Sequence, residues 1–292
     1  MELGRLGVWS SFDSLTAVAG RDLAQRLETL GYRTLWMPES RGRNVLVNSA
    51  YLLASTTTLN IATGIANIYA RDAMAMANAQ RGLAEQSGGR FLLGLGVSHL
   101  PMVKGLRGHD YGKPVATMRD YLAAMTAAPY GAPPPAQTPK TVLAALGPKM
   151  LELARDAADG AHPYNVTPEH TADARHILGP GKLLCPEIMV LLETEPTKAR
   201  AVARENLAHY FSLVNYVNNW RRLGFGDADF AGNGSDRLID ALIVWGDESV
   251  IRRRIQDHWD AGADHVCIQP LNPAGGRAPD LRVLELLAPN KG

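Results

Sequence analysis

Short apolar runs alternate with helix-periodic runs along almost the whole chain, and that alternation limits the fold more than any other feature. Residues 5–10 (Arg-Leu-Gly-Val-Trp-Ser) read as the first strand. Leu15, Val18, Ala19, Leu23, Leu27 and Leu30 then recur at helical spacing, and Gly31 stands where a helix stops. Further strands are expected over 34–40, from residue 60, and over 90–99, 141–146, 160–164, 186–193 and 264–270, with helical stretches between them. Strands joined through helices pair in parallel, because a hairpin cannot hold a crossover. Eight such units in 292 residues fit a (β/α)8 TIM barrel, one α/β domain spanning 1–292. A doubly wound open sheet is the alternative, but no Gly-x-Gly-x-x-Gly follows the first strand.

Two stretches break the rhythm. Residues 129–139 are too rich in proline for a helix or a central strand and read as an extended loop. The rhythm resumes directly afterwards, so the loop is not a domain linker. Residues 196–245 read as helical throughout, longer than one crossover needs. Tyr210, Phe211, Tyr216, Trp220, Phe225 and Phe230 crowd this segment. It is expected to form extra helices inserted after strand seven, over one end of the barrel, with its aromatics lining an apolar pocket or packing a core.

Composition excludes several classes of partner. The net charge is +1 and no long run carries one sign, which argues against nucleic acid or an anionic membrane. Cys185 and Cys267 stand far apart and lack metal spacing, and the histidines show none either, so no metal is expected. The N-terminus lacks the apolar run of a signal peptide, and no segment is apolar for long enough to span a bilayer. The expectation is a soluble cytoplasmic protein acting on a small molecule.

In a barrel of this kind the active site lies at the C-terminal ends of the strands. Gly64 sits late in the third strand, where glycine marks a bulge or a close backbone approach, or is simply tolerated in packing. Asn67 follows, and Asp72 reads as the N-cap of the next helix. The second strand ends in Glu39-Ser40, the fourth in Gly96-Val97-Ser98-His99, and the sixth carries His162. Glu39 and Ser40 suit a ring or an amide, or merely end a strand. The fifth strand runs into Gly147-Pro148-Lys149 at a helix start. Free N–H groups and a positive dipole end there suit a phosphate. Proline at a first helical position also occurs with no ligand. His99 titrates near neutrality and suits a general acid or base; its alternative is a loop histidine facing solvent.

Taken in order, these segments resemble the luciferase-like monooxygenase superfamily, and within it the branch that uses the deazaflavin coenzyme F420. The resemblance rests on Gly31-Tyr-Arg-Thr-Leu-Trp-Met-Pro-Glu39, Ile61-Ala-Thr-Gly-Ile-Ala-Asn67, Gly89-Arg-Phe-Leu-Leu-Gly-Leu-Gly-Val-Ser98, and Ala145-Leu-Gly-Pro-Lys149 with Ala157-Ala-Asp-Gly160. Gly246-Asp-Glu-Ser-Val-Ile and Ala261-Gly-Ala-Asp-His-Val266 complete it. It implies a TIM barrel, a homodimer, and a flavin or deazaflavin at the C-terminal mouth. It implies a non-prolyl cis peptide at Gly64–Ile65 backing the ring, with Ala66 and Asn67 beside it. It implies that the loop opening at Gly147-Pro148-Lys149 holds the coenzyme phosphate, and that Glu39, Ser40, Gly96, Val97 and Ser98 join the cofactor-binding set. His99 falls where the sugar-phosphate dehydrogenases of this branch carry a catalytic Glu, and Glu39-Ser40 replaces their Asp-His pair. The implied activity is hydride transfer between F420 and a small organic substrate, with His99 catalytic. An FMN-dependent monooxygenase and a non-catalytic flavin-binding barrel are the alternatives.

Overall fold

The computed structural model describes residues 1–276 and 278–289. Its strands are β1 (Leu6–Trp9), β2 (Thr34–Met37), β3 (Asn60–Thr63), β4 (Ala66–Asn67), β5 (Phe91–Gly96), β6 (Thr141–Leu143), β7 (Gly160–Ala161), β8 (Leu183–Leu184), β9 (Glu187–Leu192), β10 (Ile243–Gly246) and β11 (Val266–Pro270). Every pairing among them is parallel. Hydrogen bonds link them in the order β10-β9-β11-β1-β2-β3-β5-β6-β7-β8, with β4 pairing beside β5.

The sheet curls into a TIM-barrel-like form. β8 runs into β9 through Cys185-Pro186, and the ladder against β7 carries on across this break. Cys185 N donates to Ala161 O at 2.9 Å and Glu187 N to Pro163 O at 2.8 Å. Tyr164 then bridges Glu187 in parallel. β9 in turn pairs with β11 and β11 with β1.

The strands read as continuous apolar runs because both faces are buried. Inward side chains, among them Trp9, Trp36, Ala62, Leu92, Val142, Cys185 and Cys267, form one core inside the sheet. Outward ones such as Leu35, Ile61, Phe91 and Leu93 join a larger core shared with the surrounding helices. A third core holds Trp220, Leu238 and Ile239, packed against Met189, Leu191 and Ile243. It packs residues of the helices Pro196–Leu207, Val214–Arg222 and Asp236–Leu242 against β9 and β10. A fully buried leucine such as Leu238 contributes about 2 kcal/mol to that docking.

The expected helical run over 196–245 needs correction at its end. Residues 243–246 are β10, pairing Ile243 with Met189 and Gly246 with Leu192. Leu183 and Leu184 also extend the seventh strand backwards beyond Pro186. Among the described residues no helix is long and apolar enough to cross a membrane.

Candidate active site

A cavity of about 1060 Å³ opens at the C-terminal ends of the strands. Its floor comes from the ends of β3 and β5. The Gly64–Ile65 peptide is cis, as the resemblance implied. Trp9 Nε1 donates to Gly64 O at 2.9 Å, and Glu39 N donates to Ile65 O at 3.1 Å. A Cβ added at Gly64 would sit 2.7 Å from Trp9 Nε1, and one at Gly96 would sit 2.5 Å from Ile65 Cδ1. A side chain at either position would have to displace Trp9 or Ile65, and both glycines line the cavity.

Glu39, Ser40, Gly64, Ile65, Gly96, Val97, Ser98, His99, Gly147, Pro148 and Lys149 all line the cavity. Ala66 and Asn67 do not; both are buried in β4 against β5. Asn67 Oδ1 accepts from Tyr69 N at 2.9 Å, so its amide caps a local turn. The Glu39 carboxylate is engaged by the protein itself. It pairs with Arg71 and accepts from Asn67 N at 2.9 Å. It holds the chain beyond Ile65 in place.

His162 deepens the floor. Its Nδ1 lies 2.7 Å from Cys185 O, which makes Nδ1 the protonated nitrogen. Nε2 is then an acceptor, and it is buried with no partner among the described residues. Trp36 stacks on the ring with centroids 4.2 Å apart. Burial holds the imidazole at about 4, the bond to Cys185 opposing, so it is neutral at physiological pH.

Gly147 is the N-cap of helix Pro148–Ala157 and supplies no side-chain cap. Its φ is −95°, and a Cβ there would meet only Arg222, at 3.6 Å. Arg222 reaches over from helix Val214–Arg222, donating to Leu146 O at 3.4 Å and Asn219 Oδ1 at 3.1 Å. With exposed Lys149 it makes this end of the cavity positive. The sequence offered no sign of Arg222: only the docking of Val214–Arg222 brings it there.

Ser98 adopts φ 56° after β5, and His99 follows at the cavity wall. The imidazole packs near Tyr216, centroids 5.8 Å apart. Burial first, and the nearby His209 second, hold it below the usual 6.5, while a hydrogen bond with Asn215 opposes. His99 is thus not a loop side chain turned to solvent. Trp9, Tyr164, Tyr210 and Tyr216 complete the wall. The cluster of aromatics in the sequence was the signal for two of them.

The model of the luciferase-like monooxygenase family matches residues 5–265. The chain belongs to that family. A relative described as a putative coenzyme F420-dependent oxidoreductase of Mycobacterium tuberculosis is 24% identical, covering 89% of this chain and 92% of its own. An F420-dependent secondary alcohol dehydrogenase solved with an F420-acetone adduct superposes with a TM-score of 0.75 at 13% identity, over 99% of this chain and 98% of its own. The FMN-bound oxygenating constituent of 3,6-diketocamphane monooxygenase from Pseudomonas putida superposes with a TM-score of 0.71 at 14% identity, over the same shares. At these identities the solved structures establish the luciferase-like fold alone. The family establishes an oxidoreductase or monooxygenase frame, and F420 and FMN both appear in the names of the similar proteins.

Proposed function

We propose that this luciferase-like protein exchanges a hydride between the deazaflavin coenzyme F420 and a small organic substrate. One observation carries the reading: a glycine-floored cavity that ends at an uncapped helix N-terminus flanked by Lys149 and Arg222. A flat ring fits a floor where a Cβ at Gly64 or Gly96 would collide, and an anionic tail fits the positive end. Ile65, Val97 and Ser98 would flank the ring. When bound, the coenzyme supplies the carbon that gives or takes the hydride. His99, neutral near pH 7, takes the proton of a substrate hydroxyl as the alcohol is oxidised, and must be recharged from solvent to return it.

The name of the mycobacterial relative supports F420, whereas an FMN-dependent monooxygenase would use the same cradle. Equilibrium binding of each cofactor to the apo-protein separates the two. F420 is expected to bind at least tenfold more tightly. The reverse order would transfer the reading to FMN chemistry, and binding without turnover of any substrate would leave a flavin-binding barrel. A single closed (β/α)8 barrel with helices inserted after its seventh strand, acting as a cytoplasmic homodimer without nucleic-acid or membrane partners, completes the proposal. Sedimentation at micromolar concentration tests the dimer.

A further inference from the structure

The coenzyme reading leaves a wall of rings in the cavity unused. Trp9, Tyr164, Tyr210, Tyr216 and His99 follow one another with centroids 5.2, 5.8, 4.8 and 5.8 Å apart. Two of the three tyrosine hydroxyls are engaged. Tyr210 donates to the Tyr164 oxygen at 2.9 Å, and Tyr164 donates to Gln269 Oε1 at 2.7 Å. Tyr216 lines the cavity and is only 6% exposed, yet its hydroxyl bonds to none of the described residues. That hydroxyl, not being among the buried unpartnered atoms, is open to the cavity and free to bond a ligand oxygen.

The same wall offers no counter-charge. None of its five side chains is charged at neutral pH. Glu187 lies behind it, fully buried, accepting from Asn165 N at 2.9 Å, and burial keeps its carboxyl protonated up to about 8. Arg222 stands six residues along the helix from Tyr216, about 9 Å away by helical rise, beside the helix N-terminus at Gly147. Among the rings a carboxylate would lose its hydration with no cation on them to replace it, and an ammonium would find ring faces but no anion.

We infer that the ring wall is the substrate compartment, fitted to an uncharged ring-bearing carbonyl compound, or the matching alcohol, whose oxygen is held by the Tyr216 hydroxyl. The choice of a carbonyl–alcohol pair rests on the hydride-transfer reading; the exclusion of charge does not. Ligand-observed NMR on the full chain without coenzyme tests it. The probes are cyclohexanone and two versions of it bearing a carboxylate or a trimethylammonium group on the carbon opposite the carbonyl. Cyclohexanone is expected to bind at least tenfold more tightly than either charged version. Tyr216→Phe should weaken the ketone about tenfold, the loss of one hydrogen bond, and leave coenzyme affinity unchanged. The ring faces would favour the ammonium version if they formed a cation box, and tighter binding of that probe would overturn the proposal. So would equal binding of the carboxylate, no measurable binding of the ketone, or a Tyr216→Phe protein with unaltered ketone affinity. The probe comparison needs no variant, so it stands even where Tyr216→Phe misfolds. It also needs no coenzyme: failure of F420 to bind would sink the hydride reading and leave the compartment intact.

Discussion

His99 owes its role to its neighbours more than to its own chemistry. Ser98 turns through φ 56°, and its carbonyl accepts from Tyr111 Oη at 2.9 Å, which fixes the turn. The imidazole that follows is pressed below 6.5 by burial. His99→Ala is expected to lower kcat by roughly 100-fold while coenzyme affinity stays the same. In the alcohol-oxidation direction the neutral form is the active base. The wild-type rate should therefore hold through pH 7 and fall only as pH drops through a value under 6.5. That acid limb should vanish in the variant; an unchanged profile would remove His99 from the chemistry. Glu39 makes the opposite case. The sequence offered it to a ring or an amide, or merely as a strand end; in the structure it lines the cavity and pairs with Arg71, with side chains 5% and 11% exposed. Glu39→Gln leaves a nearly buried guanidinium without its anion and should cost about 3 kcal/mol, read as a lower denaturant midpoint. Loss of coenzyme binding at full stability would restore the ligand role.

At the scale of elements, helix Pro148–Ala157 and the glycines of β5 behave differently towards a new side chain. Gly147 has an ordinary φ and room for a Cβ, so Gly147→Leu should fold normally. The added chain would stand over the free N–H groups and weaken coenzyme binding, by an expected tenfold or more. Tight binding by a folded Gly147→Leu protein would place the phosphate elsewhere. Gly94→Ala, in contrast, would put its Cβ 2.0 Å from Thr63 O and should destabilise the protein itself. The strands around these glycines were legible because burial on both faces leaves unbroken apolar runs, and their polar ends marked the cavity. β10 was not legible, since Leu242-Ile243 passes from helix to strand with no glycine or proline between them. β8 was hidden because Pro186 looked like a strand start. Arg222 reaches the cavity only through the packing of Trp220 and Leu238 on the sheet, a tertiary contact that leaves no local pattern, whereas Tyr216 belonged to the aromatic cluster that the sequence did show.

The buried titratable groups set how the whole molecule responds to pH. Burial is the largest cause for His162, His265 and His258, which it holds at about 4, about 4 and about 3 against an ordinary 6.5. Each is therefore neutral when folded and charges more readily when unfolded. Their contribution is fully present above 6.5 and is lost as pH falls towards the folded values, about 3 kcal/mol for each of the first two. Glu187 runs the other way: burial raises its carboxyl from 4.5 to about 8. The folded chain holds that proton more tightly, so this contribution is lost as pH rises from 4.5 to about 8. Between 4.5 and 6.5 three histidines oppose one carboxyl, and stability should rise with pH. Above 6.5 the carboxyl acts alone among these four, and stability should fall. The maximum is expected near pH 6.5, measured as the urea midpoint across the series. Glu187→Gln, which removes the titrating proton and keeps the shape, should flatten the alkaline fall and leave the acid limb unaltered. A wild-type midpoint that keeps rising through pH 8 would mean that Glu187 is ionised inside the barrel-like sheet, with a cation beside it.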